Sequence, residues 1–257
     1  MTTPDPLAQF RLDGRVAIVT GASSGLGARF THVLSADGAR VVITARRADR
    51  LEELAAELPD ALPVAADLTE TGAAESIVEA AVAHYGQIDI VVNNAGASTA
   101  VPALQFDADA FRREIEIDLV APYALARATA AWAIDAGRPL SIINIGSVLG
   151  TVGGGKLRVP GYAAAKGGIH NLTRELASEW ARKSIRVNAL APGWFETEMN
   201  TEMFADDRSA AYMDDGAPMG RPGVDGELDG ALLLLASDAS SFMTGAIVAV
   251  DGGWTAI

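Results

Sequence analysis

Residues 15–30 read RVAIVTGASSGLGARF, and three local patterns meet in them. "RVAIVT" (15–20) is a short, nearly all-apolar run with the β-branched content of a strand buried on both faces. Gly21, Gly25 and Gly27 follow at once in a GxxxGxG spacing, directly after the strand and at the opening of a helix. Glycines there permit a tight turn and close approach of a ligand, and the free amides and dipole of a helix start favour a pyrophosphate. Taken alone, the turn could be a plain tight connection. The spacing is neither GxGxxG nor that of a P-loop, which would end in Gly-Lys-Ser/Thr.

The same rhythm extends outward. Further apolar runs stand at 40–44, 62–67, 88–96, 140–147, 185–193 and 246–253. Helical patterns such as RADRLEELAAEL and TGAAESIVEAAVAHYG lie between them. Alternation repeated this often predicts right-handed crossovers and an α/β, doubly wound parallel sheet with helices on both faces. No linker or composition break divides residues 1–257, so one domain is expected, with 1–10 a loose N-terminus. Residues 194–224 lack clear periodicity and are predicted to be a substrate lid.

Bulk properties narrow the function. A formal net charge of −13 argues against nucleic acid or an anionic membrane as partner. Without cysteine there is no disulfide framework, thiol nucleophile or thiolate metal site. His32, His84 and His170 have no ligand spacing, so no metal is expected. Runs such as GALLLLA are too short to span a bilayer, and MTTPDPLAQF lacks the features of a secretion signal. A cytoplasmic setting is the default expectation.

The chemistry is concentrated in GYAAAKGG (161–168). Tyr162 and Lys166, four apart, share one helix face with the apolar stripe Ile169, Leu172, Leu176 and Trp180. No acid stands three or four positions from Lys166, so its charge on that face is unexplained by the helix itself. An ammonium beside a phenol favours the phenolate and makes its proton mobile near neutral pH. Tyr162 then suits proton exchange with a substrate oxygen while hydride passes to or from the neighbouring carbon. Ser147, at the end of the run 140–147, is placed to hydrogen-bond that oxygen. A core-edge tyrosine, a snorkelling lysine and a turn-capping serine are the plain alternatives.

TGASSGLG, NNAG (93–96), Ser147, YAAAK (162–166) and PGWFET (192–197) occur in the order seen in short-chain dehydrogenases/reductases, and the chain resembles that family over about residues 11–254. The resemblance implies a Rossmann-type sheet of about seven strands in the order 3-2-1-4-5-6-7. It also implies an NAD(P)-dependent oxidoreductase, a ketoreductase or alcohol dehydrogenase, assembled as a homotetramer with a dimer as the alternative. Ser147, Tyr162 and Lys166 would be catalytic, and Lys166 would also hold the nicotinamide ribose. Ser23, Ser24 and Leu26 complete the glycine turn. Asp67 and Leu68 would contact adenine, and Asn93, Asn94, Ala95 and Gly96 would line the adenine-ribose side. Asn93 could equally anchor one strand to another. Pro192 and Gly193 would shape the nicotinamide pocket, with Phe195 and Thr197 at the carboxamide. Thr197 could instead cap a helix.

Two positions depart from common patterns. Asp118 stands where the family usually carries asparagine in its proton relay, so either a variant relay or a weakened enzyme is implied. Ala45 stands where an NAD-binding acid is expected, followed by Arg46 and Arg47. An arginine there can pair with a 2′-phosphate, which predicts NADP(H) over NAD(H). The alternative is a solvated helix start that accepts either cofactor. The substrate is expected to be a hydrophobic ketone or secondary alcohol, from Trp194, Phe195, Met199, Met203, Phe204, Tyr212 and Met213. Lys156, Leu157 and Arg158 are further candidates to touch it. A non-catalytic sensor and a redox-neutral epimerase or dehydratase remain rival functions.

Overall fold

The computed structural model describes residues 5–257. Seven parallel strands form one sheet in the order β3-β2-β1-β4-β5-β6-β7. They are β1 (Val16–Thr20), β2 (Arg40–Ala45), β3 (Ala61–Ala65), β4 (Ile90–Asn93), β5 (Leu140–Ile145), β6 (Ile185–Pro192) and β7 (Ile247–Val250). β1, β4 and β5 are buried along their whole length, whereas the edge strands β3 and β7 are only partly covered.

Alternate side chains of each strand serve opposite faces. Ala17 and Val19 of β1 pack with α1 (Gly25–Ala36), α2 (Ala48–Ala56) and α9 (Asp229–Ala236) through Phe30, Leu34, Leu51, Leu232 and Leu235. Val16 and Ile18 pack with α3 (Ala73–Tyr85), α5 (Ala121–Asp135) and α6 (Pro160–Trp180) through Ile77, Leu125, Leu176 and Trp180. The order reverses between β1 and β4, so the crossovers diverge there and leave a crevice at the carboxyl ends of the strands.

Several predicted strands overrun the observed ones for a common reason. β4 stops at Asn93 because Thr20 Oγ1 then accepts the amides of Asn94 and Ala95, which leave the ladder. β5 stops at Ile145 because Ser147 turns the chain by accepting the Leu149 amide. β7 stops at Val250, where Asp251 accepts from the Gly253 and Thr255 amides. In each case a polar side chain offers the backbone a local alternative to the sheet.

The segment 194–224 is more ordered than its sequence suggested. It contains α7 (Thr201–Ala205) and α8 (Asp207–Gly216), with Asp206 accepting the Ser209 amide at the start of α8. Its two ends are tied together, since Gly223 donates to the Trp194 carbonyl at 2.8 Å. The loose N-terminus predicted over 1–10 falls partly outside the described residues; within them, Ala8–Phe10 forms a 3₁₀ turn.

Candidate active site

The groove at the crevice has a volume of about 1140 Å³. Every predicted site residue lines it except Gly27 and Asn93. At one end is the glycine turn. Gly21 has φ +66°, and a Cβ on it would lie 2.9 Å from the Ala95 Cα, so a side chain is excluded by conformation and by space alike. Gly27 packs beneath: a Cβ there would meet the Gly21 carbonyl oxygen at 2.2 Å. It shapes the turn rather than facing the groove. Ser24, at the start of α1, makes no side-chain cap, so the first amides of that helix point free into the groove.

The ends of β2 and β3 supply the next residues of the lining. Arg46 is exposed and makes no hydrogen bond or ion pair among the described residues. Arg47 is different. Its Nη2 donates to Ser23 Oγ at 3.0 Å, to Ser24 Oγ at 2.9 Å and to Glu198 Oε2 at 3.0 Å. Asp67 accepts from the Thr69 hydroxyl and amide at 2.7 and 3.0 Å, and these bonds, with Arg46 nearby, hold its carboxyl below the usual range.

Asn93 is a structural anchor. Its side chain donates to Asn144 Oδ1 at 2.9 Å and to the Pro122 carbonyl, and Asn144 in turn donates to Thr173. This buried chain joins β4, β5, α5 and α6. Of the two roles expected for Asn93, these bonds support strand anchoring, and Asn93 does not line the groove.

The Tyr162 end of the groove explains the lysine. α4 (Ala108–Ile115) and α5 are joined by a π-helical turn, Glu116–Val120, whose widened backbone carries Asp118. Asp118 Oδ1 lies 3.1 Å from Lys166 Nζ, and Oδ2 accepts the Ala97 amide at 3.1 Å. Lys166 also donates to the Ile145 carbonyl at 3.0 Å and sits 5.3 Å from the centre of the Tyr162 ring. The pair needs the glycine at 96, where a Cβ would stand 2.4 Å from Asp118 Oδ1. Burial opposes the Lys166 ammonium most strongly, but the Asp118 carboxylate and Tyr162 outweigh it and hold the lysine above its ordinary range. The missing counter-charge thus arrives from another element.

Ser147 is buried two residues past β5, and both it and Tyr162 line the groove. Pro192 and Gly193 also line the groove; a Cβ on Gly193 would clash with the Asp251 backbone. Phe195 is buried against Gly223. Thr197 does not cap a helix. Its amide and hydroxyl both donate to Asn200 Oδ1 in a tight turn, and Asn200 is the residue before α7. Of the predicted substrate residues, Trp194, Phe195 and Met199 line the groove, while Met203, Phe204, Tyr212, Met213, Lys156, Leu157 and Arg158 do not. Tyr212 packs on Trp254 with Lys156 over its ring, and Arg158 holds Val101 through its carbonyl.

Sequence reading missed three acceptors. The Ile145 carbonyl, Glu198 and Glu114 carried no local signal, since each finds its partner from a distant segment. Glu114 is buried, accepts the Thr99 amide through Oε1 at 2.6 Å, and aims its other oxygen at Gly161. Its carboxylate faces the first turn of α6, where a negative charge is favoured.

Comparison with known proteins matches this geometry. A family model described as Enoyl-(Acyl carrier protein) reductase matches residues 21–255. Cis-4-hydroxycyclohexanecarboxylate dehydrogenase of Sinomonas cyclohexanicum is 42% identical over 248 residues, covering 95% of this chain and 97% of that protein. A gluconate 5-dehydrogenase from Burkholderia cenocepacia J2315, solved with NADP and tartrate, superposes with a TM-score of 0.92 at 34% identity, covering 98% of this chain and 100% of the other. A short-chain type dehydrogenase/reductase from Mycobacterium marinum does so with a TM-score of 0.94 at 32% identity, again over 98% and 100% of the two chains. With its reversed strand order, glycine turn and Tyr–Lys helix all in one groove, this chain belongs to the short-chain dehydrogenase/reductase family of NAD(P)-dependent oxidoreductases.

Proposed function

We propose that this protein is an NADP(H)-preferring reductase or dehydrogenase of a ketone/secondary-alcohol pair, with Tyr162 as the group that moves the proton. The observation that carries this reading is the buried Lys166 ammonium, held by Asp118 and Ile145 against the Tyr162 ring. A sensor or scaffold would have no use for a cation kept at such cost beside a phenol.

The chain fits a dinucleotide. The uncapped start of α1 and the close approach at Gly21 suit a pyrophosphate, with Ser23, Ser24, Gly25 and Leu26 around it. Arg46 and Arg47 suit a 2′-phosphate, which agrees with NADP in the Burkholderia cenocepacia relative. Asp67, Leu68 and Asn94 to Gly96 flank the adenosine, and Pro192, Gly193, Phe195 and Thr197 flank the nicotinamide. Bound there, the nicotinamide supplies or accepts the hydride.

The residues of the chain do the rest. In the reducing direction Ser147 donates a hydrogen bond to the substrate carbonyl oxygen, and Tyr162 Oη gives that oxygen its proton as the carbon gains the hydride. Lys166 stabilises the phenolate left behind, and Asp118 keeps Lys166 charged and in place. Asp118 therefore works as a variant of the usual asparagine. In the oxidising direction the same atoms act in reverse.

Leu149, Trp194 and Met199 give the substrate end an apolar flank, which favours a small ketone or secondary alcohol with a hydrophobic side. Residues 194–224 serve as its lid, within a single catalytic domain. Exposed Phe111, Val120, Tyr123 and Phe242 support self-association, as a homotetramer or a dimer. A cytoplasmic location suits a chain without cysteine.

The test is Tyr162→Phe in an assay of ketones and alcohols with both nucleotides. Turnover should fall by about 10²- to 10⁴-fold with nucleotide binding little changed. Retained turnover would refute the assignment.

A further inference from the structure

We propose that Glu198 is a selectivity-determining residue: as a built-in counter-charge on Arg47, it competes with the 2′-phosphate of the nucleotide and so sets how strongly NADP(H) is preferred over NAD(H). The proposal rests on the phosphate assignment made above for Arg46 and Arg47.

Arg47 and Glu198 are 151 residues apart in sequence, and they meet over the glycine turn. The contact is two-pronged, with Nη2 to Oε2 at 3.0 Å and Nη1 to Oε1 at 3.3 Å. This is the fork-to-fork geometry by which a guanidinium also takes a phosphate. Arg47 therefore already holds an anion of the shape it would offer to the nucleotide. Arg46, its neighbour, holds none.

Glu198 is fixed there by more than the arginine. It belongs to the tight turn Thr197–Asn200, and Thr197 packs against Gly25 at the start of α1. Hydrogen bonds from Arg47 and then Ser24 draw the Glu198 carboxyl down to about 2, so it is ionised at any working pH. A phosphate brought to Arg46, Arg47 and Ser23 meets that charge and must displace or share it. An unphosphorylated 2′-hydroxyl carries no charge and meets no such opposition.

The pair is also exchangeable. Its side chains are 41% and 52% exposed, and ion pairs in water at this exposure are weak. Arg47 can therefore be drawn to a phosphate at small cost, and Glu198 acts as a trim on affinity rather than a block.

The experiment is equilibrium binding of NADPH and NADH, followed by nucleotide fluorescence, to wild type, Glu198→Gln, Arg47→Ala and the double variant. Glu198→Gln should tighten NADPH by about two- to five-fold and leave NADH nearly unchanged. The gain should vanish when Arg47 is already alanine. An equal change for the two nucleotides, no change for either, or a gain that survives Arg47→Ala would each overturn the proposal. Arg46→Ala tests the earlier reading separately: equal losses for NADPH and NADH would remove the phosphate assignment, whereas a loss confined to NADPH with no change in Glu198→Gln would overturn only the part given to Glu198. Thermal unfolding of each variant verifies that the fold is intact.

Discussion

Two ion pairs of nearly equal length stand at opposite ends of one groove. Lys166 and Asp118 approach to 3.1 Å with side chains 5% and 0% exposed, whereas Arg47 and Glu198 approach to 3.0 Å at 41% and 52%. Distance does not distinguish them, but solvent does. The buried pair has lost its hydration and is held by the Ile145 carbonyl, the Ala97 amide and the close packing at Gly96. Neither partner can leave without stranding the other. The exposed pair can exchange partners with water, salt or a phosphate at little cost. The first therefore suits a permanent part of the catalytic apparatus, and the second suits adjustable recognition.

Truncating the acid at each end is the most direct way to break this contrast. Asp118→Ala should cost about 3–5 kcal/mol of stability in denaturant unfolding, because it leaves the Lys166 charge buried and unpaired. Glu198→Ala should leave the unfolding midpoint nearly unchanged, because the exposed Arg47 it leaves behind is solvated. Comparable losses would show that burial does not separate the two pairs.

Acid should expose the same asymmetry. His170 lies one helical turn beyond Lys166, buried against Gly146 and Gly150, with Nδ1 3.4 Å from the Thr151 hydroxyl and Nε2 without a partner. Burial, and then the charges of Arg174 and Lys166, bring its pKa from 6.5 down to about 4. A histidine depressed in the folded state adds stability that is fully present above 6.5 and is lost as the pH falls through the folded value. Melting temperatures of wild type should therefore decline between pH 6.5 and 4, and His170→Gln should decline less. Parallel curves would place the acid sensitivity elsewhere.

The smallest effect sharpens the exposed end. Arg46→Ala should weaken NADPH by about ten-fold and NADH by far less, as read in binding titrations. The NADPH affinity of wild type should also fall with added salt. Equal losses for the two nucleotides would refute a phosphate contact at Arg46.

Much of the fold was legible because its signals are local. Strand runs, helical stripes and the glycine turn each lie within one or two turns of chain, and they place the groove correctly. The ends of β4, β5 and β7 were overread because Thr20, Ser147 and Asp251 redirect backbone bonds in ways that hydrophobicity does not register. Helices α7 and α8 escaped notice because their sequence, rich in acids and small residues, presents no clean apolar stripe; they are short and pinned at both ends of the segment. Asn93 could be read as a ligand contact or an anchor, and only its bond to Asn144 resolves that choice.

The sequence by itself determined the parallel α/β order, the glycine turn and the four-residue step that sets Tyr162 above Lys166. Periodicity and turn chemistry act over a few residues, so they are written in the chain where they operate. Tertiary structure alone decided who neutralises Lys166, that Arg47 already holds an acid while Arg46 does not, and that Glu114 faces the start of α6. Those pairings join segments far apart in sequence, and burial and direction of approach, which exist only after packing, fix their strength.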